Sequence, residues 1–152
     1  MFDRILVPLD GSHNAYVALA KAEELAKLTD AEIVLLNVVD SDHYATYARD
    51  VNYYDVYHQL ADVATGMLDH AAEMVKAKGL KVQTVVMEGN PKSTIAKDAP
   101  KDYGCDLIVI GKSGTNAIER FLTGSTTAYV VRESPVNVLV INDDQDVAVG
   151  GY

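Results

Sequence analysis

Three glycines and a serine are spaced so that their backbone could hold an anion. Gly111 and Gly114 follow an apolar run, and Gly124 and Ser125 come after a nine-residue interval. Because glycine has no Cβ, the chain can adopt positive φ there and a ligand can approach the backbone closely. A helix beginning at Ser125 would add free N–H groups and the positive end of its dipole. The pattern G-x2-G-x9-G-S therefore indicates a phosphate site; the alternative is a turn followed by an ordinary serine cap.

Apolar runs and helical patterns alternate along the chain and would position these glycines. Strands are predicted at about residues 4–9, 33–39, 81–87, 107–110 and 136–141, and helices at about 12–28, 55–78, 91–100 and 125–132. This alternation predicts an α/β fold with one doubly wound, five-stranded parallel sheet and helices on both faces. Ligands in such sheets bind at the carboxyl ends of the strands, where the strand order switches.

Single residues add local expectations. Ser12 is a candidate N-cap for the first helix. Gly66 lies inside the second helix, where it costs about 1 kcal/mol relative to alanine unless close packing requires it. Pro100 is expected to end or kink the third helix before Tyr103. The third strand alternates polar and apolar residues, which predicts a half-exposed edge of the sheet.

Composition bounds the class of protein. The chain has 152 residues, with 13 Lys and Arg against 22 Asp and Glu, a formal charge of −9 and a pI near 4.7. This charge argues against general binding of nucleic acid or of an anionic membrane. A single cysteine, Cys105, fits a reducing compartment and a buried structural role. We expect a cytoplasmic protein with one domain over 1–142 and a flexible, acidic, glycine-containing tail over 143–152.

The connection at residues 40–57 is long and holds Tyr44, Tyr47, Tyr53, Tyr54 and Tyr57. It could form a stacking lid or an oligomer contact, because tyrosine combines an apolar ring with a polar tip. The alternative is that the rings pack back onto the domain. Two nearby histidines and two aspartates suggest a metal site only weakly, because nothing in the sequence fixes their geometry, and solvated histidines are favoured.

The glycine pattern resembles that of the ATP-binding branch of the universal stress protein family. The opening Ile5–Ser12 and the closing Ser134–Ile141 also resemble that family, so the likeness covers about residues 2–142. It implies a Rossmann-like fold of the adenine nucleotide alpha hydrolase type. The nucleotide contacts that the resemblance implies are Pro8, Leu9, Asp10, Val38, Ile110, Gly111, Gly114, Gly124, Ser125, Thr126 and Thr127.

The resemblance also implies a role for each part of this set. Pro8–Asp10 would contact the adenosine, the backbone of Val38 the adenine edge, and Ile110 would be an apolar wall. The glycines and Ser125 would hold the phosphates and ribose. Thr126 departs from the apolar residue that is common in the family at this position, and it adds a possible donor.

The resemblance implies a regulatory protein of the stress response that binds ATP with Mg²⁺ and acts through its conformation or a protein partner. ADP and AMP stay open as ligands. Asp10 could contact the ribose or adenine, join an Mg²⁺ shell or form an Asx turn onto Gly11 and Ser12, and the metal ligands stay unassigned. It also implies a homodimer formed through the strand at 137–141.

Catalysis has little support in the sequence. Phosphoryl transfer needs a metal clamp, a positioned water and a cationic stabiliser. Lys112 could neutralise phosphate and Arg120 or Arg132 could approach it, but a solvated position is favoured for all three. Gly89–Ser93 only superficially resembles a P-loop, because it lacks the full spacing. No catalytic residue is therefore assigned. A slow Mg-dependent ATPase or phosphotransfer enzyme and a nucleotide-free interaction module are the alternatives.

Overall fold

The computed structural model describes residues 1–43, 52–112 and 124–142. Predictions that fall outside these residues concern Gly114, Tyr44, Tyr47, Arg120 and the tail at 143–152.

The elements follow the predicted alternation of strands and helices. In chain order they are β1 (Arg4–Pro8), α1 (His13–Thr29), β2 (Glu32–Val39), α2 (Tyr53–Ala77), β3 (Val82–Glu88), α3 (Pro91–Ser93), a π-helical turn (Thr94–Asp98), α4 (Ala99–Tyr103), β4 (Leu107–Gly111), α5 (Ser125–Glu133) and β5 (Asn137–Ile141). None of the helices in the described ranges is long and apolar enough to cross a membrane.

The strands form one parallel sheet in the order β3-β2-β1-β4-β5. Ile5 of β1 pairs with Ile33 of β2 on one side and with Leu107 of β4 on the other. β2 and β3 are therefore added on one side of β1, and β4 and β5 on the other. The strand order switches direction between β1 and β4. This confirms the predicted α/β sheet, and β3 lies at an edge as expected.

Two apolar layers cover the two faces of the sheet. On one face, α1 and α2 bury residues such as Leu19 and Leu68 against Ile5 and Val7. On the other face, Ile95, Ala99 and Val130 pack against Leu6 and its neighbours. Ile5, Leu6 and Val7 in the middle of β1 are fully buried, on both faces of the sheet. This is why β1 reads as a continuous apolar run rather than as an alternating one.

Side-chain caps fix where the helices begin. The Ser12 hydroxyl accepts a hydrogen bond from the Ala15 N–H at 3.3 Å, which confirms the predicted cap of α1. Asn52 accepts one from the Tyr54 N–H at 3.2 Å. α2 consequently begins at Tyr53, before the predicted Asp55, because the asparagine side chain satisfies a backbone donor there.

Gly66 lies on the exposed face of α2, and a Cβ placed there meets nothing within 4 Å. Close packing therefore does not explain this glycine. An alanine at this position has room, and it avoids the backbone entropy that glycine loses in a helix.

Pro100 does not end its helix, and the helical path continues to Tyr103. The disturbance lies before it, where the Ala99 N–H donates to Thr94 O, five residues earlier, in a π-helical turn. Proline lacks an N–H and its ring clashes with the carbonyl four residues before it in an α-helix, so a wider turn here has a physical cause. The helix ends at Gly104, which has a positive φ of 65°.

Cys105 is buried in the apolar layer beside α4, as expected of a structural cysteine. Burial raises the pKa of its thiol from 9.0 to about 11. The thiol therefore ionises at a lower pH in the unfolded chain than in the folded one. The stability linked to this thiol is complete below pH 9 and is lost as the pH rises through 11.

We expect the free energy of unfolding to fall by about 2–3 kcal/mol more between pH 8.5 and pH 11 in the natural chain than in Cys105→Ala. Urea unfolding of both proteins at a series of pH values measures the difference. Lysines and tyrosines titrate in both proteins, so their contribution cancels. Parallel pH profiles for the two proteins would contradict the prediction.

Candidate functional site

A cavity of about 280 Å³ lies at the carboxyl ends of β1, β2 and β4, at the switch in strand order. Each predicted site residue within the described part of the chain lines it: Pro8, Leu9, Asp10, Val38, Ile110, Gly111, Gly124, Ser125, Thr126 and Thr127. The remaining one, Gly114, lies outside the described residues. Segments that are far apart in sequence thus meet around one volume.

The end of β1 turns sharply at Asp10 and Gly11. The Asp10 Oδ1 accepts a hydrogen bond from the Ser12 N–H at 2.9 Å, which forms an Asx turn. Gly11 has a φ of 84°, a conformation that favours glycine. The turn ends at the Ser12 cap of α1, and both Asp10 and Ser12 line the cavity.

Asn37 holds the end of β1 against β2. Its Nδ2 donates to Leu9 O at 2.8 Å, and the Leu9 N–H donates to Leu36 O at 2.7 Å. The two strands are therefore joined beyond the last ladder pair, Pro8 with Leu36. This bond fixes the backbone of Leu9 at the cavity rim.

Gly111 ends β4 beneath the first turn of α1. An added Cβ would lie 2.9 Å from the backbone oxygen of Asn14 and 3.0 Å from its Cβ. Gly111 is not among the glycines with positive φ in the described chain. The sequence argument of positive φ is therefore wrong at this position. Glycine is needed here because α1 approaches the strand closely.

The start of α5 presents its backbone donors to the cavity. The Gly124 N–H donates to Lys112 O at 3.0 Å, and the Lys112 N–H donates to Ile141 O at 2.9 Å, so the segment is tied to β5. Gly124 is the N-cap and supplies no side chain to the helix. The first-turn N–H groups at Ser125 and Thr126 are those that an α-helix leaves without an intrahelical acceptor. With the helix dipole, N–H groups at the start of a helix favour an anion.

Asp10 is the single ionisable side chain among the described residues that line the cavity. The pKa of the neighbouring Tyr16 is raised, first by the burial of its hydroxyl and second by the negative charge of Asp10. Arg132 sits at the other end of α5, where its Nε pairs with Glu133 at 3.1 Å and its guanidinium lies over Tyr129. Among the described lining residues, the start of α5 is therefore the feature that favours an anion.

A family model described as the universal stress protein family matches residues 1–142. The chain belongs to this family. A putative universal stress protein of Staphylococcus saprophyticus is 37% identical over 146 residues, which are 95% of this chain and 86% of the relative. The structure of universal stress protein UspA from Lactobacillus plantarum is 36% identical, has a TM-score of 0.80, and the likeness covers 91% of this chain and 97% of that one.

Two more distant universal stress protein structures share the fold and contain adenine nucleotides. One is a complex with cAMP, with 22% identity and a TM-score of 0.72, covering 94% of this chain and 99% of that one. The other is from Arabidopsis thaliana with AMP bound, with 18% identity and a TM-score of 0.65, covering 95% of this chain and 94% of that one.

Several lining residues of this universal stress protein were missed by the sequence analysis: Ser12, Ala15, Leu36, Asn37, Pro91 and Ile95. The sequence could have indicated Asn37, because it is a polar residue within an otherwise apolar strand. Nothing in the sequence marks Ile95 as a lining residue, because its position depends on the π-helical turn in which it lies. Pro91 belongs to the segment that resembles a P-loop, where the Asn90 side chain caps α3 by accepting from the Lys92 N–H at 3.0 Å.

The described tyrosines of the 40–57 stretch lie at the start of α2. Tyr53 donates to the Glu88 carboxylate at the end of β3, and the Tyr54 ring packs edge-on against His58 with centroids 4.3 Å apart. Tyr53 and Tyr54 are both exposed. Among the described residues, no group of three or more His, Cys, Asp or Glu is placed to hold a metal ion.

Proposed function

We propose that this universal stress protein binds an adenine nucleotide, ATP with Mg²⁺, in the cavity, and that the bound form is the state that a partner recognises in the stress response of the cytoplasm. The observation that carries the proposal is the meeting of Pro8–Asp10, Val38 and Gly124–Thr127 around one cavity. A ligand that binds the folded state alone stabilises it by mass action, so ATP would bias the conformation that the partner meets.

The chemistry of the two ends of the cavity supports one orientation of the nucleotide. Backbone N–H groups at Ser125 and Thr126 suit phosphate oxygens. The β2 side of the cavity is lined by Leu36 and Val38, which suit a flat base. The cAMP and AMP complexes of the two distant relatives are consistent with an adenine nucleotide in this fold.

The residues fit a magnesium ion that arrives with the nucleotide. Mg²⁺ prefers oxygen ligands and is commonly held by one or two carboxylates together with phosphates. Asp10 supplies a carboxylate at the cavity, and one of its oxygens is used in the turn to Ser12. The ion would offset the repulsion between the phosphates and Asp10, in a chain whose formal charge is −9.

The first test is to denature the purified protein and identify any released nucleotide by chromatography and mass spectrometry. Release of ATP in near-stoichiometric amount is the expected result. If ADP or AMP is released, timed turnover of Mg-ATP decides whether the chain hydrolyses it. If nothing is released, titration of Mg-ATP by calorimetry follows, and the absence of heat there contradicts nucleotide binding.

We further propose that two copies pair through β5, which is the edge strand beside β4. Leu139 on this strand is 38% exposed, and Val131 on the adjoining helix is 52% exposed. An edge strand with apolar side chains pairs readily with another strand, and an inserted lysine opposes this.

We expect Leu139→Lys to convert a dimer into a monomer at micromolar concentration, as measured by light scattering. Val63→Lys is the matched control, because Val63 is an exposed valine on α2, away from the β5 edge. A natural chain that already has the mass of one copy would contradict the dimer.

A further inference from the structure

The hydroxyl of Thr127 is already used within the protein. Its Oγ1 donates to Gly111 O at 2.8 Å, and the residue is buried. A hydroxyl carries a single proton, so this bond leaves Thr127 only acceptor capacity. Phosphate oxygens at neutral pH require donors. The geometry therefore excludes the Thr127 hydroxyl as a phosphate donor in this arrangement, although the resemblance placed Thr127 in the binding set.

We propose that Thr127 is a positioning residue that fixes the start of α5 against the end of β4 and thereby aims the backbone donors at the phosphates. This inference rests on the proposed nucleotide binding. The bond joins the first turn of α5 to the last residue of β4. Residues 113–123 separate the two in sequence, and the hydrogen bond from the Gly124 N–H to Lys112 O lies next to the Thr127 bond. The two bonds together determine where the N–H groups of Ser125 and Thr126 lie.

A similar contact at the opposite end of the cavity holds a different part of the site. There, Asn37 Nδ2 donates to Leu9 O at 2.8 Å. Both contacts join a neutral side-chain donor to a carbonyl at or just beyond the end of a strand. Thr127 lies at the phosphate end and Asn37 at the adenosine end, so loss of each bond affects a different part of the ligand.

The test compares ATP with adenosine, which lacks phosphate, by calorimetry. We expect Thr127→Val, which keeps the shape of the side chain, to weaken ATP binding about tenfold, because backbone donors that are no longer held in place must be ordered when the phosphates bind. Adenosine binding stays within about twofold, because the lost bond is at the phosphate end. Thr127→Ser keeps the hydroxyl and retains ATP affinity. Asn37→Leu weakens both ligands.

A second measurement separates positioning from direct contact. In the nucleotide-free protein, hydrogen exchange of the Gly124 amide is expected to speed up about tenfold in Thr127→Val, because its bond to Lys112 O loses support. A direct phosphate donor would leave this exchange unchanged. Three results would each overturn the proposal. They are unchanged Gly124 exchange, equal losses of affinity for ATP and adenosine, and a Thr127→Ser variant that binds ATP as weakly as the valine variant.

The two hypotheses fail in different ways. If the natural chain binds neither ATP nor adenosine, the proposed function fails. Hydrogen exchange of the Gly124 amide in the free protein then still tests whether the Thr127 hydrogen bond holds the start of α5. If the natural chain binds ATP and the valine variant binds it equally well, nucleotide binding stands and the role of Thr127 is wrong. Should the valine variant fail to fold, Thr127→Ser decides, because a tenfold loss of ATP affinity there contradicts the hydroxyl bond.

Discussion

Replacing Ser125 with glutamate is expected to lower the affinity for ATP by about 100-fold or more without destabilising the free protein. Ser125 is exposed at the first position of α5 and lines the cavity. A carboxylate there occupies the region proposed for the phosphates. At about 4 Å, two like charges repel by roughly 4 kcal/mol at the effective dielectric of a protein surface. The same carboxylate interacts favourably with the helix dipole, so thermal unfolding without nucleotide is unchanged or slightly raised.

Ala128→Glu is the matched control for this substitution. Ala128 is also exposed on α5, but it lies about one turn further along, and it does not line the described cavity. It adds the same charge to the same helix, and we expect ATP affinity to change by less than about threefold. Calorimetric titration of Mg-ATP measures both variants. An equal loss in both would mean that net charge, rather than the start of α5, governs binding.

Replacing Gly111 with alanine is expected to destabilise the protein by about 1–3 kcal/mol, the usual cost of overpacking a filled site. The new Cβ would lie 2.9 Å from the backbone oxygen of Asn14, and it would also crowd the carbonyl carbon of that residue at 3.1 Å. Backbone atoms at the start of a capped helix cannot rotate away as a flexible side chain can. α1 must shift, and nucleotide affinity should fall with stability because Ser12 and Ala15 line the cavity.

Gly66→Ala gives the contrast for this prediction. The substitution is chemically identical, but the added Cβ meets nothing within 4 Å on α2. We expect it to raise the free energy of unfolding by up to about 1 kcal/mol, which is the helix preference of alanine over glycine. Urea unfolding of both variants measures the two changes in the free energy of unfolding, which are expected to have opposite signs. A Gly111→Ala protein as stable as the natural chain would contradict the packing argument.

The sequence predicted the strands and most helices because their patterns are local. The apolar runs of β1 and β4 indicated strands buried on both faces, and Ser12 marked the beginning of α1. The family resemblance then identified the residues that the structure brings to one cavity. These inferences succeeded because apolar spacing, caps and motif glycines act over a few residues and are read without knowing what packs against them.

The errors and omissions have the opposite origin. Gly111 is a glycine because α1 lies against it, and Thr127 has its hydroxyl on Gly111 O; both facts involve residues far apart in sequence. Ile95 reaches the cavity because Pro100 is accommodated by a π-helical turn rather than by the end of a helix.

By itself, then, the sequence determined the fold class and the family, and it predicted ten of the sixteen described residues that line the cavity. Only the tertiary structure decided which site residues present donors to the cavity and which hold the backbone in place. A hydrogen-bonding group can act on a ligand only if its donor is not already used. That depends on which carbonyl the folded chain brings within 3 Å of it, and local sequence does not contain this information.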